Sequence, residues 1–170
     1  MKKLKLSNGG STLVDDEDFE KVNKWKWQKN KKGYVSRSFK LSSLSLHKFI
    51  MGEYPPKLNY IDHINRDILD NRKLNLRFCT KAQNHQNGDK HSHNTSGFKG
   101  VWFAKSRLEN KEIKKDRKLW IAEIQANKVR KFIGLFRTAE AAAIAYDEYA
   151  KRLHGDFAVL NFPKFTPDSS

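Results

Sequence analysis

An acid and an imidazole stand side by side at Asp62-His63, and two amides follow further along, Asn75 and Asn84. These side chains suit attack on a phosphodiester. Such an ester is already anionic, so its charge must be neutralised and a water activated. The Asp62 carboxylate and the Asn84 amide oxygen are hard oxygen ligands. Two such ligands, with the remaining positions left to water and phosphate, suit Mg2+ or Mn2+. A cation held there would neutralise charge at the scissile phosphate and the leaving oxygen. An imidazole titrates near neutrality, so His63 is able to take the proton of the attacking water. The Asn75 side chain is a candidate to fix the tautomer and orientation of that imidazole.

The surrounding residues predict the elements that must position this set. Leu58 to Ile64 has strand character, with Tyr60 and Ile61 favouring extended backbone. Asp67 to Lys73 is polar, and Asp70-Asn71 are turn formers. Leu74 to Phe78 alternates apolar with polar, the pattern of a half-buried strand. Thr80 and Gln83 make a capping box, so a helix starts there, with Asn84 one turn inside it and Asn87 on the same face. It runs out near Asn87-Gly88. Upstream, Leu41 to Met51 reads as a helix ended by Gly52 and by Pro55-Pro56. His47 lies in its apolar run and reads as a satisfied core histidine ahead of a catalytic one.

The segment resembles the HNH nuclease motif, the ββα-metal fold, in the form found in intron- and phage-encoded homing endonucleases. The matching residues are Leu46-His47-Lys48-Phe49, Asp62-His63-Ile64-Asn65, Asp70-Asn71-Arg72, Asn75-Leu76-Arg77-Phe78-Cys79-Thr80 and Gln83-Asn84. The resemblance implies that Asp62 and Asn84 bind the metal, that His63 is the general base and that Asn75 supports it. Arg66 stands where that family commonly has Gly, and Asn84 stands where other branches carry His.

Composition narrows the partner. The chain has 170 residues and a formal net charge of +15, and both halves are basic. A polyanion is the expected partner, with nucleic acid the default over an anionic membrane. No apolar run is long enough to span a bilayer, and the basic start, Met1-Lys2-Lys3-Leu4-Lys5-Leu6-Ser7, lacks the apolar stretch of a signal peptide. The single cysteine, Cys79, forbids an intrachain disulfide and fits a reducing cytoplasm; the resemblance points to a bacterial or phage-infected cell. It also excludes a Cys-rich zinc knuckle. His91 and His93 read as solvated residues of a polar linker.

Met1 to Phe39 predicts short strands and turns, with Asn8-Gly9-Gly10 as one turn and residues 30–33 as a hairpin turn. The acidic run Asp15-Asp16-Glu17-Asp18 suits the start of a short helix better than a metal site. Trp25-Lys26-Trp27 alternates aromatic with basic. One reading is a strand that buries both indoles; the other is a basic ribbon beside DNA.

The second half predicts three strands, around Phe98 to Trp102, Trp120 to Gln125 and Arg130 to Phe136. A helix capped by Thr138 and ended by Gly155 follows, with Ala139, Ala142, Ala143, Tyr146, Tyr149, Ala150 and Leu153 on one apolar face. From Ser96 to Pro163 this half is similar to the plant ethylene-response-factor (Apetala-type) DNA-binding domain. The similarity rests on Phe98-Lys99-Gly100-Val101, Trp120-Ile121-Ala122-Glu123-Ile124, Ile133-Gly134-Leu135-Phe136, Thr138-Ala139-Glu140-Ala141-Ala142, Ala145-Tyr146-Asp147 and Ala158-Val159-Leu160-Asn161-Phe162-Pro163. In that family the sheet enters the major groove. The matching positions for DNA contact are Lys99, Trp102, Trp120, Gln125, Arg130 and Phe132, with the two tryptophans equally open to a structural role. The basic loop from Ala104 to Lys118 either adds phosphate contacts or is simply solvated.

Together these readings predict an α+β chain. An HNH nuclease domain with a β-rich extension occupies 1–87, a linker 88–97, and a three-stranded antiparallel sheet packed on one helix 98–163, before a tail at 164–170. The expected activity is metal-dependent, site-specific cleavage of double-stranded DNA by a homing endonuclease using Mg2+ or Mn2+. No small-molecule cofactor or membrane is involved, and the chain acts as a monomer or dimer on DNA. The competing reading is a non-enzymatic DNA-binding regulator.

Overall fold

Leucines alternating with lysines make strand β1 (Lys2–Lys5), which pairs antiparallel with β2 (Ser11–Val14) and turns Leu4 and Val14 into a common core. The computed structural model describes residues 1–39, 42–88, 94–104, 119–126 and 129–163. The expectations for His91, His93, the basic loop from residue 105 onward and the 164–170 tail lie outside them. Among the described residues the chain is mixed α/β, with several small sheets and helices, and divides into two compact units, Met1–His85 and Gln86–Ser170. No helix among them is long and apolar enough to cross a membrane.

In the first unit α1 (Asp16–Asn23) follows Asp15. The Asp15 carboxylate does not cap the helix; it accepts a hydrogen bond from the Lys73 backbone N–H at 2.7 Å. The Lys73 ammonium pairs with Glu17 and, at 3.1 Å, with Asp18. The acidic run is therefore met by Lys73 and, at Asp16, by the Met1 ammonium at 2.8 Å. Strands β3 (Gln28–Lys29), β4 (Val35–Ser38) and β5 (Ser43–Ser45) form an antiparallel sheet in that order. Gly33, at φ 85°, closes the turn between β3 and β4, its N–H donating to Asn30 O at 2.9 Å.

Only one of the two neighbouring tryptophans enters the core. Trp27 is buried and donates its indole N–H to Val22 O at 2.9 Å, whereas Trp25 stays 46% exposed. The helix expected over 41–51 is shorter. Ser43-Leu44-Ser45 alternates with period two and joins the sheet as β5, so α2 spans only Leu46–Met51 before Gly52 at φ 73°. Strand β6 (Tyr60–His63) pairs antiparallel with β7 (Leu76–Cys79), and α3 (Lys81–Gln86) follows. Val14, Val22, Trp27, Val35, Leu46, Ile61 and Leu76 share the core. Cys79 is buried, and burial pushes its thiol up to about 11, so it is an unreactive packing residue.

In the second unit β8 (Val101–Phe103), β9 (Trp120–Ala126) and β10 (Val129–Phe136) form an antiparallel sheet with β9 central. Helix α4 (Ala139–His154) packs on it through Ala142, Ala143, Tyr146 and Ala150. Thr138 Oγ1 caps the helix by accepting from Ala141 N at 3.1 Å, and Gly155 at φ 53° ends it. Leu153 is 43% exposed and so falls off the predicted apolar face. The buried Asp147 carboxylate on α4 accepts from the backbone N–H groups of Asn161 and Phe162, at 2.8 and 2.7 Å, and ties the following segment down.

Candidate active site

The β6–β7 hairpin builds the site from its register. Asp62 lies opposite Arg77 and His63 opposite Leu76. Opposite charges facing across the pair become an ion pair, with Arg77 Nε and Nη2 at 2.9 and 2.8 Å from Asp62 Oδ2. Asp62 and His63 are both buried. The loop joining the strands turns sharply after His63: Arg66 N donates to His63 O at 2.9 Å, and Arg66 itself sits at φ 65°. That conformation is one that Gly adopts freely and Arg does not.

Asn75 holds this loop and not the imidazole. Its Nδ2 donates to Asp70 O at 2.8 Å, and its Oδ1 accepts from Asn65 N at 2.9 Å. The role expected for Asn75 falls instead to Asn71, whose Oδ1 lies 3.4 Å from His63 Nε2. The orientation of that amide is forced. Thr12 donates its hydroxyl to Leu69 O at 2.6 Å, so its oxygen is left to accept from Asn71 Nδ2 at 2.8 Å. Asn71 therefore turns its carbonyl oxygen to the ring, Nε2 carries the proton, and Nδ1 carries the lone pair. Strand β2 clamps the same loop through its backbone: Leu13 N donates to Leu69 O at 2.8 Å and Asn71 N to Leu13 O at 2.9 Å.

Burial lowers the proton affinity of His63 below its ordinary value, while the hydrogen bond to Asn71 and the charges of Asp62, Asp67 and Asp70 oppose that shift. The ring is thus neutral at neutral pH and surrounded by acids that would stabilise its protonated form. His47, on α2, is buried with its ring edge-on to His63 at 5.3 Å between centroids, and Tyr34 lies 6.1 Å from His63. Burial, the nearby His63 and Lys48 push His47 down to about 4, so it remains neutral too.

Thr80 and Gln83 form the reciprocal capping box that starts α3: Thr80 N donates to Gln83 Oε1 at 2.9 Å and Gln83 N to Thr80 Oγ1 at 3.2 Å. Asn84 lies in the first turn of α3, half-buried. Its amide side chain makes no hydrogen bond among the described residues. A buried carboxylate beside β7 and an uncommitted amide on α3 suit an oxygen-preferring cation. Among the described residues no three His, Cys, Asp or Glu side chains cluster as metal ligands.

In the second unit the register separates the six expected DNA-contact residues. Trp102 pairs across from Ile121, Gln125 from Arg130 and Glu123 from Phe132, so Trp102, Gln125, Arg130 and Phe132 share the sheet face turned away from α4. Gln125 and Arg130 are exposed, and Phe132 is 47% exposed. Trp120 pairs with Phe103 and Phe136 and packs with the helix-side core, on the opposite face. Lys99 precedes β8 and donates its ammonium to the carbonyls of Gln86, at 2.8 Å, and Gly88.

Asn71, Arg77 and His47 lie inside matched motif segments, yet nothing in their residue types separates a turn former, a surface base or a core imidazole from a site residue. Thr12 carries no sequence signal, because its contact spans from β2 to the loop after β6.

The HNH endonuclease family matches residues 51–86. Over 163 residues the chain is 32% identical to an uncharacterized HNH endonuclease, L560, of Acanthamoeba polyphaga mimivirus, covering 93% of this chain and 78% of that protein. It is 52% identical over 46 residues to dehydration-responsive element-binding protein 2E of Oryza sativa subsp. japonica, a match covering 26% of this chain and 14% of that protein. It is 33% identical over 96 residues to ethylene-responsive transcription factor ERN1 of Medicago truncatula, covering 55% of this chain and 32% of that protein. No solved structure matches the chain. A hairpin carrying Asp62-His63 and closed by a capped helix, together with a relative shared along most of both lengths, leads to one assignment: the chain belongs to the HNH endonuclease family.

Proposed function

We propose that this chain is a site-specific DNA endonuclease of the homing type, hydrolysing a phosphodiester with His63 as general base beside a single Mg2+ or Mn2+. The observation that carries the reading is the neutral, buried His63 held by Asn71 next to the buried Asp62 carboxylate. Asp62 and Asn84 would hold the cation, and when bound it would neutralise charge on the phosphate and the leaving oxygen. His63 Nδ1 takes the proton of the attacking water. Asn71 keeps Nε2 protonated during that transfer, and Asp62, Asp67 and Asp70 stabilise the resulting imidazolium. Arg77 holds Asp62 in place. Asn75 keeps the loop after His63 in its turn.

The second unit supplies choice of site. Two of the plant relatives are named as an element-binding protein and a transcription factor. By that likeness Trp102, Gln125, Arg130 and Phe132 read the groove from one sheet face, while phosphate contacts supply affinity. A reader tethered to a nuclease raises the local concentration of the cutting centre at chosen sequences.

Incubation of the purified chain with plasmid and genomic DNA and Mg2+, followed by mapping of the ends, tests the activity. His63→Ala is expected to lower the cutting rate by roughly 10²- to 10⁴-fold while leaving DNA binding in place. Cutting at the unaltered rate by that variant would remove the proposed base. A wild-type chain that binds duplex DNA yet never cuts it would favour a regulator instead.

A further inference from the structure

Trp25, Arg37 and Phe39 form an exposed stack in the first unit that the hydrolytic centre does not use. The Arg37 guanidinium carbon lies 3.8 Å from the centre of the Trp25 ring and 4.4 Å from that of Phe39. Both rings are 46% exposed, and neither belongs to the core. A solvent-facing tryptophan next to a buried one is an uneconomical use of an indole unless something else covers it.

The electrostatics of the stack are more telling. Stacking engages the flat faces of a guanidinium and leaves its N–H groups, which lie in the plane, able to donate. No carboxylate or carbonyl among the described residues accepts from Arg37, and the Trp25 indole N–H has no acceptor there either. Lys24 and Lys26, on either side of Trp25, are exposed. A rigidly framed guanidinium with its fork unused, between lysines, on a chain of net charge +15, matches the bidentate oxygens of a phosphodiester.

Its place in the fold sets it apart from the hydrolytic centre. Tyr34, which approaches the rings of both His47 and His63, leads into β4, and Arg37 lies further along that strand. At about 3.3 Å per residue the two Cα atoms are separated by on the order of 10 Å, and the offset of three residues on extended backbone turns their side chains to opposite faces. We propose that Trp25, Arg37 and Phe39 form a phosphate-binding contact for duplex DNA, apart from the cleavage centre. The proposal rests on the nuclease reading for its partner.

The test is equilibrium binding of the full chain to a fluorescein-labelled DNA duplex in EDTA, followed by anisotropy while KCl is varied over roughly 50 to 200 mM. Arg37→Gln is expected to reduce the slope of log affinity against log salt by about 0.9 and to weaken binding roughly eightfold near 0.1 M salt, to the same extent on unrelated sequences. Arg37→Lys should keep the slope and lose part of the affinity. Trp25→Ala, which frees the guanidinium, should weaken binding with a smaller change in slope. Thermal melts show that each variant is folded. Wild-type slope and affinity in a folded Arg37→Gln chain overturn the contact. Arg37-dependent binding to single-stranded RNA in place of duplex DNA overturns the partner. If the wild-type chain cuts DNA while Arg37→Gln binds normally, only this contact fails. If Arg37→Gln loses its slope in a chain that never cuts, only the nuclease reading fails.

Discussion

Replacing Asn71 with alanine removes the acceptor that lies 3.4 Å from His63 Nε2, and both imidazole tautomers then become accessible. The expected result is a fall in kcat of roughly 10- to 100-fold, the range seen when an orienting partner is lost, with KM little changed. Imidazole nitrogen NMR separates this from general loosening: the wild-type chain should show His63 protonated at Nε2, and the variant a mixture. Thr12→Val should move the same signal in the same direction, since it frees the Asn71 amide to turn over. Arg66 offers a second test at this scale. Arg66→Gly relieves a left-handed backbone and is expected to raise unfolding free energy by up to about 1 kcal/mol, read from the urea midpoint. The strand that carries Asp62 and His63 was legible because Tyr60 and Ile61 favour extended backbone, and it forms as β6. Asn71 was legible only as a turn former, because a turn and an orienting amide ask for the same residue. The left-handed turn at Arg66 was foreshadowed where the related sequences commonly place Gly.

At the scale of elements, the capping box at Thr80 and Gln83 and the cap at Thr138 were readable because they are local, made by residues three apart. The helix expected from residue 41 was misread because its serines supply a period-two pattern that only the neighbouring β4 makes useful. Sheet facing likewise needs the register, which sorts Trp120 inward and Trp102 outward. Changing Gln125 and Arg130 together to alanine is therefore expected to relax the choice of cutting site while leaving the rate on saturating DNA nearly intact. Trp120→Ala should instead lower the melting temperature. Gly100 permits one further prediction. At φ 73° an added Cβ would lie 2.1 Å from the Tyr146 ring and 2.7 Å from Glu123 O, so Gly100→Ala is expected to destabilise the second unit by roughly 2 kcal/mol or more, measured by thermal melting.

Across the whole molecule, buried neutral histidines make stability depend on pH. Burial pushes His47 down to about 4, and His63 and His154 are lowered as well. The unfolded chain takes up protons below about pH 6.5 that the folded chain refuses, so the stabilising contribution is complete above that value. For His47 it is lost as pH falls from there through about 4, at up to about 1.4 kcal/mol per pH unit. Melting midpoints recorded at constant salt should fall steadily across this window; a flat or rising trend on acidification would contradict the neutral, buried rings. The clamp between β2 and the loop after His63 has a consequence during synthesis. Thr12 leaves the ribosome well before Asn71, and Asn84 follows later still, so the early hairpin waits for a partner that is not yet made. N-terminal parts fold first during translation, yet here they are inert until the downstream segment docks. A nascent chain therefore cannot order the loop after His63 against β2 until residues through Asn71 have left the ribosome.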